Sequence, residues 1–268
     1  MPKKRLKKLT EAGFIPGIYN FCDHWCEKCP RKSGCLSYVM GKKLGEKENY
    51  NLKDALVPHR ENVWELLRNI FDSTYEVLHD LAVEQGVDVE EIYTLENMDE
   101  ELLKEEEYMP DEEDEEEMAF FMESSDIIKL CLIYEELSGD TLDEIFGILD
   151  EKVWPARSRG EKITSNALDV INWHLDIIQI KMRRALQCQY QAGEQEMTGE
   201  NEKDSDGSAK VALLCIEQSV KAWKTLKRHC PTQDKEISHI LVILDLLVQD
   251  IEKQFKNART FVRPGFDE

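Results

Sequence analysis

Between residues 165 and 255, apolar side chains recur at every third or fourth position through three successive stretches. That period belongs to the amphipathic α-helix. The first stretch begins after Thr164 or Ser165 and carries Leu168, Ile171, Leu175, Ile178, Met182, Ala185 and Leu186 on one stripe. The second runs from Ala209 to His229, with Leu214, Val220, Trp223 and Leu226 inward and Lys224, Lys227, Arg228 and His229 complementing the negative end of its dipole. Pro231 and Thr232 open the third, which carries Ile237, Leu241, Leu244, Leu247, Val248, Ile251 and Phe255. Helices of about 20 to 26 residues reach roughly 30 to 40 Å, which suits an antiparallel bundle. No alternating pattern marks a strand and no fixed period marks a repeat. The fold class expected is all-α, an antiparallel helical bundle with an irregular N-terminal four-cysteine segment.

Upstream, the same period predicts a helix from His59 to Gly86 through Val63, Leu66, Leu67, Ile70, Phe71, Leu78 and Leu81, stopped by the glycine. Ile127, Ile128, Leu130, Cys131 and Ile133 predict a short helix ending near Gly139, and Thr141 with Glu144 reads as a capping box for another that runs to Trp154. Residues 99–117 hold 13 acids and one lysine in 19 positions, and neighbouring carboxylates repel. This predicts a solvated loop over about 95–120, and the polar stretch 190–208 predicts a second. Gly41–Gly45 and the polar residues to Asn51 read as a linker. Two domains result: a basic arm with a cysteine-rich metal-binding segment over 1–58, and an acidic helical bundle over 59–268.

The charge balance narrows the partners. Acids outnumber bases 55 to 34 in 268 residues, a net −21. That argues against a surface given over to nucleic acid or anionic lipid. Residues 1–60 nevertheless hold 13 bases against 6 acids. Pro2-Lys3-Lys4-Arg5-Leu6-Lys7-Lys8 is a basic arm that offers salt-sensitive, sequence-independent attraction to nucleic acid. The acidic body of the same chain is the competing and favoured partner for it. No apolar run approaches the roughly 20 residues of a membrane helix, and no signal-peptide pattern follows the basic start. A cytoplasmic protein with no membrane partner is expected, acting on an unknown protein partner.

Eight cysteines fall into two groups. Cys131, Cys188, Cys215 and Cys230 are scattered over predicted helices, where a thiol behaves as a small apolar side chain. Cys22, Cys26, Cys29 and Cys35 crowd into fourteen residues with the pattern CxxxCxxCPxxxxC. Without a secretory signal disulfides are disfavoured, and four thiolates this close are soft ligands for an iron–sulfur cluster or zinc. Structural zinc sites usually draw two separated pairs onto one tetrahedron with bonds of about 2.3 Å. Here the four come in one continuous run, with gaps of three, two and five residues. A [4Fe–4S] cluster, whose corner irons lie farther apart, is the favoured occupant and zinc the alternative. His24 stands between two cysteines as a neighbour or a substitute ligand. Phe21 and Trp25 either shelter the site from water or dock the segment on the bundle.

The half Cys26-x2-Cys29-Pro30-x4-Cys35 resembles the end of the iron–sulfur staple in RecB-like nucleases. Those proteins take their fourth cysteine from far upstream and carry a nuclease core on a sheet, whereas here Cys22 is local and no sheet is expected. Cys22, Cys26 and Cys29 share the CxxxCxxC spacing of radical SAM enzymes, without the alternating barrel which that family needs. The stretch 19–38 also resembles the cysteine segment of uncharacterised acidic bacterial proteins, a resemblance that implies no activity.

Two Glu-x-x-His pairs, Glu76/His79 and Glu236/His239, place both groups on one helical face, as in di-metal carboxylate bundles. With 55 acids and six histidines such pairs also arise by chance, and a solvated charged face explains them equally. His174 reads as a core or boundary histidine, and His229-Cys230 as an ordinary helix end. No Walker loop, GxGxxG, GxSxG or HExxH occurs. The function expected is therefore that of a metal-binding helical protein with a structural, regulatory or interaction role. The alternative is a redox enzyme using the N-terminal cluster or a di-metal site at Glu76, His79, Glu236 and His239.

Overall fold

The computed structural model describes residues 13–47, 112–151, 159–194 and 199–267. They form six α-helices, α1 (Leu36–Lys47), α2 (Glu112–Ser124), α3 (Asp126–Glu151), α4 (Arg159–Glu194), α5 (Gly199–His229) and α6 (Asp234–Gln254), with short 3₁₀ turns between them. Among the described residues there is no strand, so the fold is all-α, and α2–α6 pack together as a bundle. None of these helices is long and apolar enough to cross a membrane. The arm 2–8, the predicted helix from His59 to Gly86 and the domain boundary at residue 58 lie outside the described residues.

The chain divides into two compact units. The described part of the first comprises 13–19, 26–47 and 264–266. Its centre is Ile15, whose amide donates to the Gly34 carbonyl at 2.9 Å. At Gly265 the backbone has φ +73°, and a Cβ there would come within 2.8 Å of Ile15. Both the left-handed conformation and the close approach require glycine.

The described part of the second unit comprises 20–25, 112–151, 159–194, 199–263 and 267. Within it α4 packs extensively on α5, α5 on α6, α6 on α3 and α3 on α4, which closes a four-helix ring. The periodicity of α6 shows why: Ile237, Ile240, Leu244, Leu247 and Ile251 are fully buried at three- and four-residue steps. Stripes of this kind are buried from four sides and remove most of the apolar surface of the helices from water.

Four boundary expectations are corrected. The acidic run is not a loop throughout, because residues 112–117 begin α2. Carboxylates are favourable in the first turn of a helix, and Met122 anchors its other end in the core. Gly139 and Thr141 do not separate two helices, because α3 is continuous and the Thr141 hydroxyl donates to the Leu137 carbonyl of the preceding turn at 2.7 Å. Residues 190–194 belong to α4 and 199–208 to α5. In the latter Ser205, Asp206 and Ser208 are buried, and the Ser205 hydroxyl donates to the Ala185 carbonyl of α4 at 2.9 Å. Finally Gly41–Gly45 lie inside α1 and are not a linker.

Small residues at the start of α5 admit aromatic neighbours. A Cβ on Gly207 would lie 2.3 Å from the Phe21 ring and 2.8 Å from the Phe261 ring, and those two rings pack with centroids 4.8 Å apart. Gly to Ala inside a helix normally gains about 1 kcal/mol, but overpacking costs about 1–3 kcal/mol. Gly207→Ala is therefore expected to destabilise by up to about 2 kcal/mol. An unchanged or raised denaturation midpoint would show that both rings move aside freely.

Candidate metal centre and its anchoring on helix α4

The cysteine segment is built from consecutive tight turns. The Cys29 amide donates to the Cys26 carbonyl at 3.2 Å, the Gly34 amide to Arg31 at 3.0 Å and the Cys35 amide to Lys32 at 3.2 Å. Pro30, which has no N–H to place, follows the first turn. The Arg31 amide then donates to the Cys29 sulfur at 3.4 Å. Cys35 is in extended conformation and its carbonyl accepts from Val39 at 3.1 Å, so it caps the N-terminus of α1. Cys26, Cys29 and Cys35 belong to the first unit and Cys22 to the second. None of the eight cysteines forms a disulfide. Among the described residues no three His, Cys, Asp or Glu side chains are arranged to hold a metal ion.

The scattered cysteines behave as core residues. Burial pushes the Cys131 thiol up to about 12 and also raises Cys215 and Cys188. Thiols held protonated in this way are poor nucleophiles and poor ligands. His229 Nδ1 pairs with the Thr225 carbonyl of its own helix at 2.8 Å. Glu236 and His239 are both exposed on α6, outside the buried stripe of that helix, and Glu76 and His79 lie outside the described residues.

A polar cluster that periodicity alone does not single out holds residues 20–25 against α4. Asp23 forms an Asx turn, its Oδ1 accepting from the Trp25 amide at 3.1 Å. Its carbonyl accepts from Trp173 Nε1 at 2.9 Å. Trp25 stacks on Trp173 with ring centroids 5.2 Å apart and 18° between planes, and meets the His174 ring edge-on. His174 is 0 % exposed. Its Nε2 faces Asp23 Oδ2 at 3.6 Å, beyond hydrogen-bond length, and neither ring nitrogen makes a hydrogen bond. Burial works to raise the Asp23 carboxyl, but His174 and the Trp25 amide outweigh it and hold it below the ordinary carboxylate value.

Two turns further on, Lys181 is 3 % exposed. Its Nζ donates to the Asn20 carbonyl at 3.1 Å and stands 3.4 Å from His24 Nε2. Burial lowers this ammonium, while negative charge at Cys22 and Asp23 opposes the shift. His24 adopts φ +57°, a conformation costly for a residue with a Cβ. Partial burial of its ring and then the Lys181 charge lower the imidazole. The sequence did contain a signal for this cluster. His174 and Lys181 interrupt the inward stripe of α4 at seven-residue spacing, between Ile171, Ile178 and Ala185. Polar groups at buried stripe positions need partners, and these partners lie 150 to 161 residues away in the chain.

Compared with known proteins, the chain matches no family model, no curated protein and no solved structure.

Proposed function

We propose that residues 22–35 bind a thiolate-ligated metal centre, with Cys22, Cys26, Cys29 and Cys35 as ligands, in a helical protein whose role is structural, regulatory or in interaction with a protein partner. A [4Fe–4S] cluster is the favoured occupant and zinc the alternative. The observation that supports this reading best is the amide of Arg31 directed at the Cys29 sulfur, 3.4 Å away, across a turn closed by the Cys29 amide on Cys26. Backbone N–H groups on cysteine sulfur stabilise thiolate charge and tune a bound metal. Cys35, held in extended conformation at the start of α1, is the last cysteine of the run. The fourth ligand, Cys22, rests on its sequence spacing. If zinc is bound, the metal contributes on the order of 10 kcal/mol to ordering the segment.

Metal and sulfide analysis of anaerobically purified full-length protein tests this. Brown protein holding iron and sulfide in equal amounts supports the cluster, and colourless protein holding one zinc supports the alternative. Protein that neither retains nor takes up either metal after reduction overturns the proposal.

A further inference from the structure

The thiol expected to be the first ligand sits in a segment that one buried lysine meets on both sides, at the Asn20 carbonyl before it and at the His24 ring after it. Lys181 reaches Asn20, two residues before Cys22, and His24, two residues after it. Trp173 holds the intervening Asp23 carbonyl. An ammonium 3 % exposed is costly to bury. The carbonyl and the imidazole partner this ammonium without themselves carrying negative charge, while negative charge at Cys22 and Asp23 favours its charged form. An apolar side chain at position 181 would continue the inward stripe of α4 without that cost.

We infer that Lys181 is a positioning residue for the proposed metal centre, fixing residues 20–24 so that Cys22 is presented in one geometry and supplying positive charge beside that thiolate. This rests on the metal-binding reading. A centre with four thiolates is anionic whether it holds zinc or a [4Fe–4S] cluster, so a buried cation at one ligand stabilises the loaded state. For a cluster it stabilises the reduced state further, because reduction adds negative charge. Pre-forming one ligand also reduces the ordering cost of binding.

The test compares wild type with K181M, K181R and W173F as full-length proteins. Each is followed by metal content, by chelator competition and, where a cluster is present, by midpoint potential. K181M keeps the side-chain volume and removes the charge. It is expected to weaken metal retention by about 10-fold or more, the usual cost of losing a group that supports a ligand, and to lower the potential. K181R keeps the charge and is expected to recover part of both. W173F loses the indole N–H to Asp23 but keeps an aromatic stack, and is expected to show a smaller loss. Cooperative unfolding near the wild-type midpoint separates these effects from general destabilisation. If K181M fails to fold, W173F and K181R carry the comparison.

Metal affinity and potential equal to wild type in folded K181M, or in folded W173F and K181R where K181M does not fold, overturn the inference and leave the metal reading standing. A wild-type protein that binds neither iron nor zinc overturns that reading and the inference with it.

Discussion

Replacing Cys26 and Cys29 together by serine is expected to abolish metal binding while leaving the far-ultraviolet helical signal and the cooperative unfolding of the bundle close to wild type. Serine offers a hard, protonated hydroxyl in place of a soft thiolate, and losing two of four ligands removes the site outright for zinc or a cluster. The bundle has little reason to respond. Its helical signal comes chiefly from α2–α6, and its buried core, which comprises Phe21 and residues from Met122 through Ala258, contains neither thiol. Cys26 is half-buried in a turn, and Cys29 likewise. A comparison with Cys131→Ser sharpens the point. That thiol is 2 % exposed in the bundle core and held protonated by burial, so its substitution should lower stability and leave the metal in place. Unfolding of the whole chain on substitution of Cys26 and Cys29, or metal retained by that variant, would contradict the assignment of ligands to the 22–35 segment. The two readouts are circular dichroism through a denaturant series and metal analysis of the same samples.

The bundle was readable because burial imposes a period. Ile237, Leu244, Leu247 and Ile251 stand at the spacing of a helix face and are all buried, and Leu168, Ile171, Ile178, Met182 and Leu186 do the same on α4. Reading failed where tertiary contacts override local preference. Gly139 and Thr141 carry the local signals of a stop and a start, yet Tyr134, Leu142 and Ile145 continue one buried stripe past them. The threonine hydroxyl is satisfied within the helix and has no need of a cap. Ser205, Asp206, Gly207 and Ser208 look like loop residues in isolation. In the fold they are the small side chains that admit Phe21, and the Ser205 hydroxyl donates across to α4. The four-cysteine run was visible because it is local. The anchoring cluster was not, because Asp23 and Trp173 meet only across 150 residues of chain. What the sequence showed of it was one half, the histidine and lysine that break the α4 stripe, without the segment that answers them.

The largest single-residue loss of stability is expected at Trp223. Its side chain is fully buried in α5, and its indole N–H donates to the Tyr134 hydroxyl of α3 at 3.3 Å. Burial pushes that phenol above its ordinary value. Trp223→Ala removes the transfer free energy of the indole and leaves a cavity between α5 and α3, a combined cost of about 3–5 kcal/mol. The Tyr134 hydroxyl also loses a donor at a site closed to water, which adds about 1–3 kcal/mol unless the ring shifts. Against a total stability of about 5–15 kcal/mol, the variant should unfold at far lower denaturant, while Trp223→Phe, which keeps most of the packing, falls between it and wild type. A loss below about 1 kcal/mol would mean that α3 and α5 do not enclose this side chain. Metal analysis of Trp223→Ala under conditions where it remains folded adds the converse of the cysteine experiment. The indole is no ligand and its hydrogen bond goes to Tyr134, so its loss should cost stability without changing metal stoichiometry. Substitution of Cys26 and Cys29 should do the reverse. Both results are needed, because a single variant that lost metal and fold together could not distinguish a ligand from a strut.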